Sequence, residues 1–280
     1  MEIQNNIARL KQKEKSLLKK AGLAIHDYCM IKKDDRICVA VSGGKDSLTL
    51  LKLLSLRTLK ISLGYSLIAV HIETDFKCKG CIHKETIKKI FDEWGIAGIF
   101  SKISVLNSKS KKGITCFWCS WNRRKAIFEI AGKFNCNKIA LGHHKDDVIE
   151  TMLLNLLFNG EISTMNPKQA IFNGRFEIIR PLCYAEKKEI TAYALTAGFP
   201  DCFCSCPNAF ISKRKFVKDF IDEAAKLSPG IKTNIFRAPS RIRHEYLGKT
   251  LIPRRNHRAF PPKVDPPLAE ACGMAAKIFL

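Results

Sequence analysis

The sequence predicts an α/β fold: a mostly parallel sheet of about five strands with flanking helices, an N-terminal helix and a basic C-terminal extension. Short continuous apolar runs alternate with stretches whose apolar residues recur at helical spacing. Alternation of that kind builds right-handed crossovers and a parallel sheet. The polar motifs follow the first and fourth runs directly, at the carboxyl ends of strands, where open parallel sheets bind their ligands.

Residues 7–30 read as a helix, with Ile7, Leu10, Leu17, Leu18, Ala21 and Ile25 at roughly helical spacing. Arg9, Lys11, Lys13, Lys15, Lys19 and Lys20 lie between them, either a solvated face or an arm that contacts phosphate. Arg36 to Val41 is a short apolar run that suits a strand buried on both faces. A glycine turn follows, then a helix carrying Leu48, Leu50, Leu51, Leu53 and Leu54. Tyr65 to Ile72 is the second strand, and Ile87, Ile90, Phe91 and Trp94 mark a helix over 83–94. Ile99 to Val105 is the third strand, residues 121–134 a helix and Lys138 to Leu141 the fourth strand. A long apolar helix ends near Phe158, Phe176 to Arg180 is the fifth strand, and a helix spans about Ala185 to Ala197. Residues 211–227 read as a basic helix with Phe216, Phe220 and Ile221 on its apolar side.

These elements divide the chain into a basic helix (1–30), a central domain (31–228) and a basic, proline-rich tail (229–280). Residues 231–263 hold nine basic residues and one acid, and the stretch after about 248 reads as poorly ordered. The 280 residues are 46% hydrophobic and 26% charged, which excludes a disordered chain, a collagen-like chain and a coiled coil. No apolar run reaches the roughly 18 residues of a spanning helix, and Met1 to Lys20 lacks the apolar region of a secretory signal. A cytoplasmic protein without membrane contact is therefore expected. Lys and Arg number 48 against 26 Asp and Glu, a formal charge of +22. Solubility asks for a magnitude of roughly 2–8, so a polyanion is the expected partner and nucleic acid comes first.

Twelve cysteines are present. In a reducing compartment their spacing matters more than their number. Cys78-x-x-Cys81 and Cys116-x-x-Cys119 stand at metal-ligand spacing, and Cys202, Cys204 and Cys206 form a third group. Cys29, Cys38, Cys136 and Cys183 stand alone among apolar neighbours and read as small buried hydrophobes.

Ser42-Gly43-Gly44-Lys45-Asp46-Ser47 carries the chemistry. Its glycines allow a tight turn that presents successive N–H groups, and the next helix adds its positive end. Lys45 supplies a point charge for phosphate, and Ser42 and Ser47 supply hydroxyl donors. Asp46 would be repelled by bare phosphate and makes sense as a Mg²⁺ ligand. The loop is not a Walker A motif, which would need glycine where Val39 stands and Ser or Thr at Asp46.

The same loop, after an apolar strand, resembles the PP-loop of ATP pyrophosphatases, which release pyrophosphate by adenylating a substrate. Leu141-Gly-His-His-Lys-Asp-Asp147 resembles the second signature of the tRNA-modifying members. Cys116-Phe-Trp-Cys119, followed by Arg123-Arg124, resembles the tRNA 2-thiocytidine synthetase (TtcA) family. The resemblance continues through Ile179 to Leu182 and Gly198 to Pro200 as far as the cysteine triplet, over about residues 10–225.

The resemblance implies a Rossmann-like sheet of the adenine nucleotide α-hydrolase type. It also implies ATP-dependent formation of 2-thiocytidine, expected at tRNA position 32, with sulfur delivered by a 4Fe-4S cluster. Cys116 and Cys119 carry over as cluster ligands, with Cys206 chosen as the third ligand and Cys204 as second choice for it. Three thiolates leave one iron open to an exogenous sulfide. Lys45, Asp46 and Asp147 are the expected catalytic residues, and Asp46 holds Mg²⁺, with Asp147 as its companion. Residues 42–47, Gly142 and the strand-end residues Val70 and His71 are expected to hold ATP. His143 and His144 either position ATP or cap and pack. The partners implied are tRNA, a sulfur donor (a cysteine desulfurase or sulfide) and a second copy of the chain. Two rival readings stay open: a 2-thiouridine-forming enzyme of the same superfamily, and a zinc-stabilised, non-catalytic RNA-binding protein. Cys78 and Cys81, outside the family pattern, could form a separate zinc or redox pair.

Overall fold

The computed structural model describes residues 2–60, 64–75, 84–104, 116–200 and 213–246. Six strands form one sheet: β1 (Arg36–Ala40), β2 (Ser66–Thr74), β3 (Gly98–Ile103), β4 (Lys138–Ala140), β5 (Lys168–Ile171) and β6 (Phe176–Ile179). Their order is β3-β2-β1-β4-β6-β5, and every pairing is parallel except β5 with β6. Eight α-helices accompany them among the described residues: α1 (Glu2–Asp27), α2 (Lys45–Lys60), α3 (Lys84–Glu93), α4 (Cys116–Lys133), α5 (Lys145–Asn159), α6 (Lys187–Thr196), α7 (Lys213–Leu227) and α8 (Ile231–Arg237).

The continuous apolar runs are explained by burial on both faces. Ile37 and Val39 of β1 and Ala140 of β4 join a core with α1, α2, α3 and α6. Their strand neighbours Cys38 and Ile139 point to the other face and pack under α4. The side-chain period of two thus feeds two cores at once. The chain winds from β1 outward through β2 and β3, then returns to the far side of β1 with β4. The loops after β1 and β4 are therefore neighbours at the point where the winding reverses, the crevice where such sheets bind ligands.

The sixth strand lies beyond the expected five. β5 is short and polar, Lys-Gln-Ala-Ile, so neither period shows in it. The signal that marks it is the turn: Phe172, Asn173 and Gly174 all take positive φ, and Asn-Gly is the preferred hairpin pair. Cys29 also departs from expectation. It is exposed, with φ 46°, and closes α1 in a left-handed turn where its N–H donates to His26 O. Cys38, Cys136 and Cys183 are buried as expected.

α1 belongs to the core rather than standing apart. Leu17, Ala21, Ala24 and Ile25 are buried. Lys13 donates to Ala192 O and Thr196 Oγ1, and Lys20 meets Glu189 at 2.6 Å, which ties the helix to α6. Lys11, Lys15 and Lys19 are exposed. The segment expected as a tail from 229 holds α8 in its described part. Ile235 and Phe236 of α8 pack on the cluster of Ile149, Leu153, Val217 and Ile221. Residues 247–280, with the stretch expected to be poorly ordered, lie outside the described residues.

At the amino edge of the sheet Lys138 is 3% exposed and bonds Glu177, with Asp35 at 3.5 Å. Asp35 also accepts from Lys32 N–H at 2.6 Å and Asn137 Nδ2 at 2.7 Å, so this network fixes the starts of β1, β4 and β6. Removing one partner of a buried pair leaves an uncompensated charge. Lys138→Ala should lower unfolding free energy by about 3 kcal/mol in urea titrations. Asp35→Asn combined with Lys138→Met should recover part of that loss.

Candidate active site

β1 ends at Ala40, and Val41 N–H still reaches Val70 O at 2.8 Å. The chain then turns through Gly43, whose φ of 89° suits a residue without Cβ, and enters α2 at Lys45. The loop 42–47 therefore caps the positive end of a 16-residue helix. Its serines brace it. Ser47 Oγ donates to Gly44 O at 2.9 Å and accepts from Ser42 N–H at 3.2 Å. Ser42 Oγ lies 3.3 Å from Gly44 N, which donates to it. In this arrangement the hydroxyls hold the loop's own backbone in shape, a role the sequence reading did not assign them.

His71 is not at the strand end, because β2 runs on to Thr74. Its Nδ1 lies 2.8 Å from Val41 O and so carries the proton of that contact. Burial pushes its pKa down, and the hydrogen bond to Val41 only partly opposes this. A buried neutral imidazole thus supports the loop from beneath.

The loop after β4 closes the site. A Cβ on Gly142 would lie 3.1 Å from the carbonyl carbon of Asp46 and from Ser47 N, so any other residue would push this loop a few tenths of an ångström off the first turn of α2. His144 is the N-cap of α5 in a reciprocal capping box. Its side chain accepts from Asp147 N–H, and Asp147 Oδ2 accepts from His144 N–H at 3.0 Å. His144 Nε2 lies 3.3 Å from Asp147 and 4.0 Å from Asp46. The two acids expected to act together therefore face one imidazole nitrogen, and capping is the visible role of His144. His143 receives a hydrogen bond from Arg180 Nε at 3.3 Å, and Arg180 also bonds Asn166 O. Burial, with Arg180 beside it, pushes His143 down to about 4, so it is neutral near pH 7.

The residue the sequence reading missed is Lys187. It opens α6, and its Nζ lies 2.8 and 2.6 Å from the two carboxylate oxygens of Asp46. No motif announces it, because 141 positions separate the pair. A cleft of about 720 Å³ runs from Asp46, His144 and Asp147 past Lys187 to Arg214 and Lys232.

Cys116 opens α4, and Cys119 stands one turn later and half-buried. A helix start favours anionic thiolates. Arg124 follows on the same helix, and its burial pulls its pKa down. The remaining expected metal ligands, Cys206 and Cys204 with Cys202, and the pair Cys78 and Cys81, lie outside the described residues.

The chain matches the PP-loop domain family over residues 8–200. It is 35% identical over 240 residues to the tRNA-cytidine(32) 2-sulfurtransferase of Geobacter sulfurreducens, covering 83% of this chain and 92% of the relative. It is 37% identical over 255 residues to the enzyme of that name from Ralstonia nicotianae, covering 89% and 80%. Its fold is shared with the U34-tRNA thiolase NcsA from Methanococcus maripaludis, solved with its [4Fe-4S] cluster. That match has a TM-score of 0.63 and 23% identity, over 84% of this chain and 79% of the other.

Two outcomes follow from this geometry. Gly142→Ala forces backbone against backbone and should cost about 1–3 kcal/mol, with nucleotide affinity falling at least tenfold in calorimetric titration. His143 has a folded pKa below its unfolded value, so the unfolded chain binds the extra proton between about pH 6.5 and 4. Stability should be full above about pH 6.5 and fall below it, by at most about 1.4 kcal/mol per pH unit from this group. His143→Gln should flatten that part of the profile.

Proposed function

The chain belongs to the PP-loop domain family and, within it, to the tRNA-cytidine 2-sulfurtransferases, and from that premise we propose that it forms 2-thiocytidine at position 32 of tRNA in the cytoplasm. Its activity is ATP-dependent tRNA thiolation. The observation that carries the ATP-dependent step is the close approach of loops 42–47 and 141–147 at Gly142, which brings Lys45 and Asp46 at the start of α2 together with Asp147 at the start of α5.

In this reading the loop amides and Lys45 hold the phosphates and stabilise charge as it develops on them. Asp46 would hold Mg²⁺, and the ammonium it already holds is evidence that its carboxylate suits a cation. Asp147, fixed by the capping box, faces the same space. The C2 oxygen of the cytidine attacks the α-phosphorus, pyrophosphate leaves, and sulfur then displaces AMP from C2. His71 and His143 stay neutral and add no positive charge to compete for the phosphates.

Cys116 and Cys119 at the start of α4 fit a thiolate-bound cluster, and Cys206 completes the set, with Cys204 as second choice. Such a cluster, when bound, supplies an iron open to exogenous sulfide from a desulfurase or sulfide itself. Zinc at Cys78 and Cys81 remains an additional proposal on spacing alone. The exposed Lys11, Lys15 and Lys19, with Arg123 and Arg124, are the proposed phosphate contacts for tRNA, and a homodimer is the proposed assembly.

Asp46→Ala should abolish thiolation, read by nucleoside mass spectrometry of tRNA from a deletion strain carrying the variant, while iron and sulfide content stay unchanged. Thiolated uridine in place of thiolated cytidine would assign the wild-type protein to the other branch of the superfamily. Affinity for tRNA should fall with salt at a log–log slope of roughly −0.7 to −0.9 per phosphate contacted. Charge reversal of Lys11, Lys15 and Lys19 together should make that slope shallower, and an unchanged slope would leave α1 a solvated face.

A further inference from the structure

We propose that Lys187 is a second phosphate-binding lysine of this site, which exchanges the carboxylate of Asp46 for the terminal phosphates of ATP when Asp46 takes a divalent cation. The proposal rests on the reading that ATP binds at loop 42–47.

Geometry comes first. Lys187 Nζ touches both oxygens of Asp46, at 2.8 and 2.6 Å, and so sits where a carboxylate would hold a metal ion. A divalent cation on the same carboxylate repels the ammonium beside it, so cation uptake by Asp46 displaces Lys187. The pair is also easy to part. The side chains are 47% and 29% exposed, and ion pairs so exposed are weak.

The base of the lysine is fixed while its head is free to swing. Lys187 N–H donates to Asp146 Oδ2 at 2.7 Å, and Asp146 accepts from Lys232 at 2.8 Å. The neighbouring acids already have other cations. Arg214 meets Asp147 and Glu150, and Lys145 and Lys188 meet Glu186. None of these needs Lys187 when it leaves Asp46.

Charge balance gives the freed lysine its destination. ATP brings about four negative charges into the site. Lys45 and a divalent cation offset three, and Asp46 takes one of those back. Lys187, released beside loop 42–47, restores the missing charge. It lines the cleft that leads away from Asp46.

Two binding measurements on the full-length protein test the exchange. Calorimetry with ATP and Mg²⁺ should show Lys187→Met weakening ATP binding by about 10–100-fold, the size expected for a hydrogen bond to a charged group. Lys187→Arg should stay within about fivefold of wild type. Electron paramagnetic resonance with Mn²⁺ alone, without nucleotide, should show the opposite direction: Lys187→Met binds the ion at least about fivefold more tightly than wild type, because its competitor is gone. Adding Asp46→Asn to Lys187→Met should remove that gain. Unchanged Mn²⁺ affinity in Lys187→Met overturns the exchange, and unchanged ATP affinity overturns the phosphate role. Wild-type protein that binds no ATP would instead overturn the reading beneath, and this one with it.

Discussion

The site depends on one close approach: the backbone after β4 rests against the backbone of the first turn of α2, with glycine at the contact. Strand order makes the approach possible, because β1 and β4 are hydrogen-bonded neighbours although 97 residues separate the end of one from the start of the other in number. Gly142 makes it close, since a single methyl group would crowd main-chain atoms at 3.1 Å and push the two backbones apart. Through that contact Asp46, at the start of α2, and Asp147, at the start of α5, come to face the same imidazole. Two helix starts, each with its positive end, then converge on the crevice at the reversal of the sheet.

Around that point the charges are arranged in partnerships rather than as a simple positive field. Asp46, Asp146, Asp147 and Glu150 each meet a cation from α6, α7 or α8. These helices are remote in sequence from the loops they serve; α7 and α8 are held to α5 by a small apolar cluster centred on Ile149, Leu153, Val217 and Ile221, and α6 packs in the main core through Ile190 and Tyr193. A stretch expected as an unstructured extension therefore has its first turns built into the site, because Lys232 of α8 is the partner of Asp146. The histidines work in the opposite sense. His71 is buried, His143 is half-buried beside Arg180, and both are kept neutral, so they contribute shape and hydrogen bonds while the lysines and arginines contribute charge.

The basic excess of the chain divides in the same way. Part of the lysine face of α1 is structural: Lys13 and Lys20 fasten the helix to α6. Lys11, Lys15 and Lys19 face solvent on the same helix. One helix thus carries both a docking face and a charged outer face, which is why its alternation of lysines with leucines reads equally well as packing or as an arm for a polyanion.

Apolar periodicity was enough to read most elements, because a strand buried on both faces and a helix buried on one leave different patterns in the chain. The glycine loop, its lysine and its aspartate were legible too, since backbone turns and phosphate chemistry restrict residue type at adjacent positions. The short strand β5 escaped because its four residues carry no period, and only its Asn-Gly turn betrays it. The pairing of Asp46 with Lys187, the hydrogen bond from Arg180 to His143 and the left-handed end of α1 at Cys29 were beyond any local reading. Sequence determines what a residue can do through its chemistry and its near neighbours. Which charge finally meets which is decided by the packing of helices distant in the chain, because an ion pair is set by separation in space, and only the tertiary fold sets that.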